Sequence, residues 1–184
     1  MRFQRTLVLL IAFAVAGMLT LRAAEKSKAP PFNFREVSYF HRWSNNDQHE
    51  FTPDKQEDLD HWTDMITING YPGVDDNEKM AGTANAVAGN YRSHQGKILK
   101  TRSVAGTKER PTEHFISVMF VRPEFVEVAF AHFKLVDKKG HSFVYSHRFY
   151  GDDKSEKAAA WLKTEGDVVE KALMDWEVSA APLR

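Results

Sequence analysis

Between residues 35 and 43 apolar and polar positions alternate, with Val37, Tyr39, His41 and Trp43 on one side and Ser38, Phe40 and Arg42 on the other. That two-residue period predicts a strand, which Asn45-Asn46-Asp47 ends. Thr52-Pro53 reads as a helix start, with Thr as cap and Pro at the first helical position, where its missing N–H costs nothing. Asp54, Glu57 and Asp58 suit the positive end of that helix, and Leu59, Trp62 and Ile66 give it an apolar stripe. It is expected to end before Asn69-Gly70-Tyr71-Pro72. A second helix is expected from a cap at Asp75, through Met80, Ala84, Val87 and Tyr91, to Gln95-Gly96. Its small residues (Ala81, Gly82, Ala84, Ala88, Gly89) predict close approach to a neighbour.

Strands are predicted over Ile98–Val104, His114–Val121 and Phe125–Asp137, with a polar loop at Ala105–Thr112. Asp137-Lys138-Lys139-Gly140-His141 carries turn chemistry, read as a three-residue loop with Gly140 as its left-handed bulge residue. Asp137 then lies opposite His141, Phe133 opposite Tyr145 and Ala131 opposite His147. In that register His132 and His147 point to opposite faces. Both faces of the hairpin are apolar, so both need cover. The chain closes with helix: Ser155 caps a run through Ala158, Trp161 and Leu162, Gly166 interrupts it, and Asp167-Val168-Val169-Glu170 forms a capping box for a last helix through Trp176. Trp161 and Trp176 fall on apolar stripes and are expected in the core. The order β, α, α, β, β, β, β, α leaves few residues for parallel crossovers. It predicts an α+β fold, a largely antiparallel sheet with helices packed on its faces, as one domain over residues 32–184.

Residues 1–24 read as an export signal: Arg2 and Arg5 precede an apolar run from Leu7, and small residues close it at Ala23-Ala24. A retained signal anchor is the alternative. Glu25–Pro31 is a charged linker. Removing Arg2, Arg5 and Arg22 takes Lys+Arg from 25 to 22 against 25 Asp+Glu, a formal −3 for the mature chain. No basic field suits nucleic acid, and no membrane association is expected once the signal is cleaved. The chain has no Cys, which excludes disulfides, thiolate catalysis and Cys-based metal centres.

The early aromatic strand Tyr39-Phe40-His41-Arg42-Trp43, the hairpin Phe125–Tyr150 and the closing helix Val168–Trp176 together resemble the PsbP-like group of small exported α/β-sandwich proteins. The resemblance is one of architecture over nearly the whole mature chain. It implies a non-catalytic accessory or binding role and carries over no functional residue.

Tyr39-Phe-His-Arg-Trp43 and Tyr145-Ser-His-Arg-Phe149 share the form Tyr-x-His-Arg-aromatic. Were these strands neighbours, His41 and His147 would meet in an aromatic surround, so the candidate ligand-binding residues are His41, Trp43, Tyr145, His147 and Arg148. Glu57, Asp58 and His61 fall at i, i+1 and i+4 of the first expected helix and form an alternative metal site; the leading expectation is no metal and no cofactor. Asp47–Asp60 holds six acids, and Arg92–Arg110 holds six bases against Glu109 alone. That basic segment would suit an anionic ligand or an acidic partner. No G-x-S-x-G elbow, P-loop, G-x-G-x-x-G or H-E-x-x-H occurs. The expected function is therefore an exported, non-catalytic binding or accessory protein, periplasmic or extracellular. The alternatives are an enzyme of unfamiliar type with a His/Tyr/Arg pocket, and a metal-dependent protein using His61.

Overall fold

The computed structural model describes residues 32–177. The expected signal (1–24) and linker (25–31) lie outside the described residues, as do residues 178–184. Strands β1 (Phe32–Phe34), β2 (Val37–Asn45), β3 (Gln48–Pro53) and β4 (Asp64–Tyr71) precede helix α1 (Asn77–Ser93). Strands β5 (Lys97–Val104), β6 (Glu113–Val121), β7 (Phe125–Val136) and β8 (Lys139–Tyr150) follow, and helix α2 (Lys154–Met174) comes last. All eight strands form one antiparallel sheet in the order β1-β2-β3-β4-β8-β7-β6-β5. Helix α1 carries the chain from the middle of the sheet to its far edge, and β5–β8 meander back until β8 lies beside β4. The fold is an α+β sandwich with a helix on each face.

Strand alternation sorts the core into two layers. Ala129, Ala131 and Phe133 of β7, with Ile116 and Val118 of β6, pack against Met80, Ala84, Val87, Ala88 and Tyr91 of α1. Val126, Val128 and Phe130 of β7, with Phe143 and Tyr145 of β8, pack against Ala158, Val169 and Leu173 of α2. The small residues Ala84 and Ala88 of α1 lie in the same layer as Ala129 and Ala131 of β7. Asp76, one residue beyond the expected Asp75, caps α1 by accepting from the Lys79 N–H at 2.8 Å. On the α2 face His132 is fully buried, with the Leu173 carbonyl 3.0 Å from Nδ1 and the Glu113 carboxylate 3.1 Å from Nε2. It ties the end of α2 to the sheet.

Three expectations are overturned. The helix predicted from Thr52-Pro53 to Ile66 does not form: residues 48–53 and 64–71 are strands, and 54–63 make turns between them. Local helix signals lost to pairing on both sides, since β3 pairs with β2 up to Pro53↔Tyr39 and β4 pairs with β8 along its whole length. Leu59 and Trp62 still reach the core, as loop residues on the α1 face. Next, the last helix is continuous through Gly166. Ala158, Leu162, Gly166, Val169 and Leu173 keep one helical phase, and Gly166 is buried on that stripe. Burying this face outweighs the roughly 1 kcal/mol cost of a mid-helix glycine.

The third correction is the turn of the long hairpin. Val136 pairs with Lys139, so the loop has two residues, Asp137 and Lys138, both left-handed at φ 50° and 59°. That is the twist a tight hairpin needs. Phe133 therefore pairs with Ser142 rather than Tyr145, and Ala131 with Val144 rather than His147. The odd-numbered slip reverses the facing: His132, opposite Phe143, and His147, opposite Val128, share the α2 face, four residues apart along the strands. Gly140 has a different reason to be glycine. Its N–H donates to the Val74 carbonyl at 2.6 Å, and a Cβ there would stand 2.6 Å from Val74 Cγ1 and 2.8 Å from Val74 Cβ.

Gly140→Ala is accordingly expected to destabilise the protein by about 1–3 kcal/mol, as overpacking does. Gly82→Ala, at an exposed helical position with open space around it, should stabilise it by about 0.5–1 kcal/mol. Urea denaturation of the two variants checks both signs.

Candidate functional site

The pairing of β3 with β4 stops at Phe51↔Ile66, while its pairing with β2 runs on to Pro53↔Tyr39. Beyond that point the β1–β2 hairpin is released from the plane of the sheet and curls over the α2 face. Its Phe34 ring comes within 5.4 Å of the Tyr145 ring, although β1 and β8 are four strands apart in the sheet. The hairpin, the start of β4, the middle of β8 and the first half of α2 enclose a cavity of about 300 Å³. Phe34, Tyr39, Tyr145 and Trp161 supply its aromatic walls, Asp64 and His147 its polar groups, and Arg35 and Val37 its rim.

Asp64 and His147 are direct cross-strand partners. Asp64 Oδ1 accepts from Tyr145 Oη at 2.7 Å and from His147 Nδ1 at 2.8 Å. The carboxylate is an acceptor only, so this bond fixes the hydrogen of His147 on Nδ1 and turns Nε2 away from the carboxylate. The His147 ring stacks on Trp161 with centroids 4.9 Å apart and planes 3° apart, and meets Phe149 edge-on at 4.5 Å. The imidazole is thus held on three sides. Gln56 anchors the approach to β4, its side-chain oxygen accepting from the Thr63 and Asp64 N–H groups at 2.7 and 2.8 Å.

Burial, the largest single influence on Asp64, would raise its pKa. The hydrogen bonds from His147 and Tyr145, the His147 charge and the Gln56 side chain together outweigh it and hold the carboxyl below the usual aspartate value. Tyr145 is pushed far up by burial, then by the Asp64 charge and its own bond to that carboxylate. Tyr39 is also raised, by burial first and Asp64 second. Both phenols stay protonated. At the rim Arg35 pairs with Glu165 of α2 at 2.5 Å, from a two-residue turn in which Arg35 and Glu36 are both left-handed at φ 48° and 65°. Neither is a residue that this conformation favours, so the hairpin tip holds local strain where it meets the cavity.

Of the five candidate residues, Tyr145 and His147 line this cavity together and the other three do not. His41 lies on β2, with β3 and β4 between it and β8, three strand spacings or about 14 Å of sheet. Its Nε2 is 2.6 Å from Ser44 Oγ, which is 2.7 Å from His49 Nδ1, and its ring meets Phe51 edge-on. Burial, then the neighbouring His49, lowers its pKa. Trp43 stands beside that group, partly exposed. Arg148 points to the opposite face, where it pairs with buried Glu127 at 2.8 Å and lies between the Trp62 and Phe125 rings at 3.9 and 4.0 Å. In the repeated Tyr-x-His-Arg pattern it is the tyrosines, Tyr39 and Tyr145, that come to one cavity. The strand order keeps the histidines apart, with β3 and β4 between them.

The helical premise of the Glu57, Asp58 and His61 grouping also fails. Asp58 alone approaches His61, at 3.1 Å in an exposed turn, while Glu57 pairs with Arg42 at 3.4 Å. Among the described residues no group of three or more His, Asp or Glu side chains is placed to hold a metal ion. Asp64, Phe34 and Trp161 escape a reading of the sequence, which meets Tyr39 only as the first residue of the repeated pattern. Asp64 begins a β-branched run that the helix assignment absorbs, and Trp161 lies on the apolar stripe of α2 while one side of its ring faces the cavity.

The architecture is that of an α+β sandwich domain with a half-enclosed aromatic and polar cavity on its α2 face. A protein-family model matches residues 27–176, and the chain belongs to that family. No curated protein matches it. Among solved structures, the Saccharomyces cerevisiae Ran-binding protein Mog1p is similar at a TM-score of 0.49 and 12% identity, over 76% of this chain and 85% of that one. Human STARD10 is similar at a TM-score of 0.30 and 7% identity, over 75% and 74%.

Asp64 sets a pH dependence. A carboxyl whose folded pKa lies below its unfolded value contributes stability that is present above about pH 4 and is lost as the pH falls through the folded value. Denaturation midpoints between pH 2 and 6 should therefore fall toward acid in the natural protein and fall less in Asp64→Asn. Equal slopes would mean that the carboxyl is not held by its partners.

Proposed function

We propose that this chain is an exported, non-catalytic binding or accessory protein, and that its ligand site is the cavity of Tyr39, Asp64, Tyr145, His147 and Trp161. The carrying observation is the state of Asp64. Its Oδ1 is occupied by two protein donors, and among the described residues no Ser, Thr or Lys lines the cavity beside His147 to act as a nucleophile. Tyr145, kept protonated by burial and bonded to Asp64, is not available as a base. What remains is a set of recognition groups: Asp64 Oδ2, Tyr39 Oη and His147 Nε2 make no hydrogen bond to any described residue, and aromatic rings flank them. An ionised carboxylate in a cavity of this size disfavours anions, so a small neutral or cationic ring compound is the fitting ligand. The apolar run in residues 1–24 supports export, and the aromatic strand, long hairpin and closing helix that resemble PsbP-like proteins support an accessory role.

A second reading rests on the same pair. Asp64 orients His147 as a carboxylate orients a general base, leaving Nε2 as the acceptor. It requires a substrate that brings its own nucleophile.

Binding is tested with benzylamine and benzoate as probes in protein-detected NMR. Benzylamine should shift the Trp161 and Tyr145 resonances saturably, and benzoate should not. Asp64→Asn, which keeps the shape, should weaken benzylamine by about tenfold, the worth of one charge-assisted bond. No saturable shift at Trp161, or equal shifts in Asp64→Asn, would overturn the ligand assignment.

A further inference from the structure

His132 is fully buried on the α2 face, and both of its ring nitrogens meet oxygen atoms. Nδ1 lies 3.0 Å from the Leu173 carbonyl, which can only accept, so the hydrogen of this bond is on the imidazole. Nε2 lies 3.1 Å from Glu113 Oε2. A second hydrogen must stand between those two atoms, on the ring as imidazolium or on the carboxyl as acid, since without it two lone pairs would face each other beside a ring sealed from water. The pair therefore holds one proton more than a neutral imidazole and a carboxylate together. Glu113 is held below the usual glutamate value, by the bond from His132 first and against the effect of burial, with the His132, Lys134 and Arg110 charges adding to it. That places the proton on the imidazole, beside the negative end of α2.

What the imidazole holds is the seat of the cavity's cover. Leu173 belongs to the last turn of α2, and Lys134, two residues beyond His132 on β7, donates to the Trp176 carbonyl at 2.9 Å. The Trp176 ring packs against Phe32 and Phe34 of β1 and Phe143 of β8, with centroids 5.1, 5.2 and 5.9 Å away. Phe34 walls the Asp64 cavity, yet β1 is an edge strand joined to the sheet by three residue pairs. Its other holds, the Trp176 ring and the Arg35–Glu165 bridge, both belong to α2 or the residues just after it. The end of α2 thus sets how firmly the hairpin closes.

We propose that the Glu113–His132 pair is a proton-dependent clasp on the end of α2, and that losing its proton loosens Trp176 and opens the β1–β2 hairpin over the Asp64 cavity. The other charged groups near the pair are committed elsewhere. Glu170, one turn earlier on α2, is held by Lys100 and Arg102 of β5 at 2.7 and 3.1 Å, and Lys171 pairs with Asp175 on the exposed side. Glu177 stands near Lys134. On the neighbouring strands His132 pairs with Phe115 and Phe143, which do not titrate. His141 stacks on Phe143, but burial lowers its pKa, so it charges only toward acid. A released imidazole gives up its proton at about pH 6.5, so the clasp is complete below that pH and weakens as the pH rises above it. Closure of the cavity in this way does not depend on which ligand enters it.

Amide hydrogen exchange of the whole protein tests this, with no ligand present. Protection factors of the β1–β2 hairpin, taken relative to those of α1, should fall tenfold or more between about pH 6 and about pH 9. Glu113→Gln keeps the shape, and its amide N–H can donate to Nε2 of a neutral imidazole, so the fall should shrink to twofold or less while α1 stays protected. Lys134→Arg, whose charge is not lost in that range, should keep the fall of the natural protein. A fall smaller than tenfold in the natural protein, one larger than twofold in Glu113→Gln, or one that disappears in Lys134→Arg would overturn the proposal, the last by assigning the proton to Lys134.

Discussion

The structure hangs on one pairing, that of β4 with β8. Eight residue pairs from Asp64↔His147 to Tyr71↔Gly140 join strands far apart in sequence. They fuse the β1–β4 half of the sheet to the β5–β8 half. The same register makes Asp64 and His147 cross-strand neighbours and so defines the cavity. At its other end it presses Gly140 against Val74, which leaves no room for a side chain and fixes where α1 begins. A slip of one residue would send Asp64 to the α1 face and put a carboxylate into that apolar layer.

Buried polar and charged groups of this sheet are either closed off in pairs, as His132 and Glu113 also are on the α2 side, or left open to a cavity. On the α1 side the Glu127–Arg148 pair is nearly sealed, with Arg148 held between two rings and a second buried acid, Glu50, raised in pKa by its burial. Such a pair contributes little net stability, and breaking it would strand a charge. On the α2 side Asp64 keeps access to a cavity. That difference separates structural polar groups from those able to meet a ligand.

Much of the strand content was legible because β-branched and aromatic alternation is a local signal: β2, β5, β6 and β7 stand close to where the periodicity predicts them. The α1 helix was legible from its cap and its small-residue face, and the two covered faces of the hairpin followed from its apolar character. Strands β3 and β4 were not. Thr52-Pro53 and the acids that follow it make a genuine local helix start, and only competition from long-range pairing defeats it. Three of the five proposed site residues, Tyr39, Tyr145 and His147, stand in the Tyr-x-His-Arg repeat. That the two histidines do not meet was not recoverable, because it turned on which strands are neighbours.

The sequence by itself determined the periodicities, hence an antiparallel α+β sandwich, its charge partition and its lack of thiol chemistry, because these follow from residue types and near-neighbour spacing. Tertiary structure alone decided the register of the long hairpin, the strand order that parts His41 from His147, and the curl that brings Phe34 and Tyr39 over Asp64. Those depend on contacts between residues tens of positions apart, where loop closure and burial outweigh any local preference.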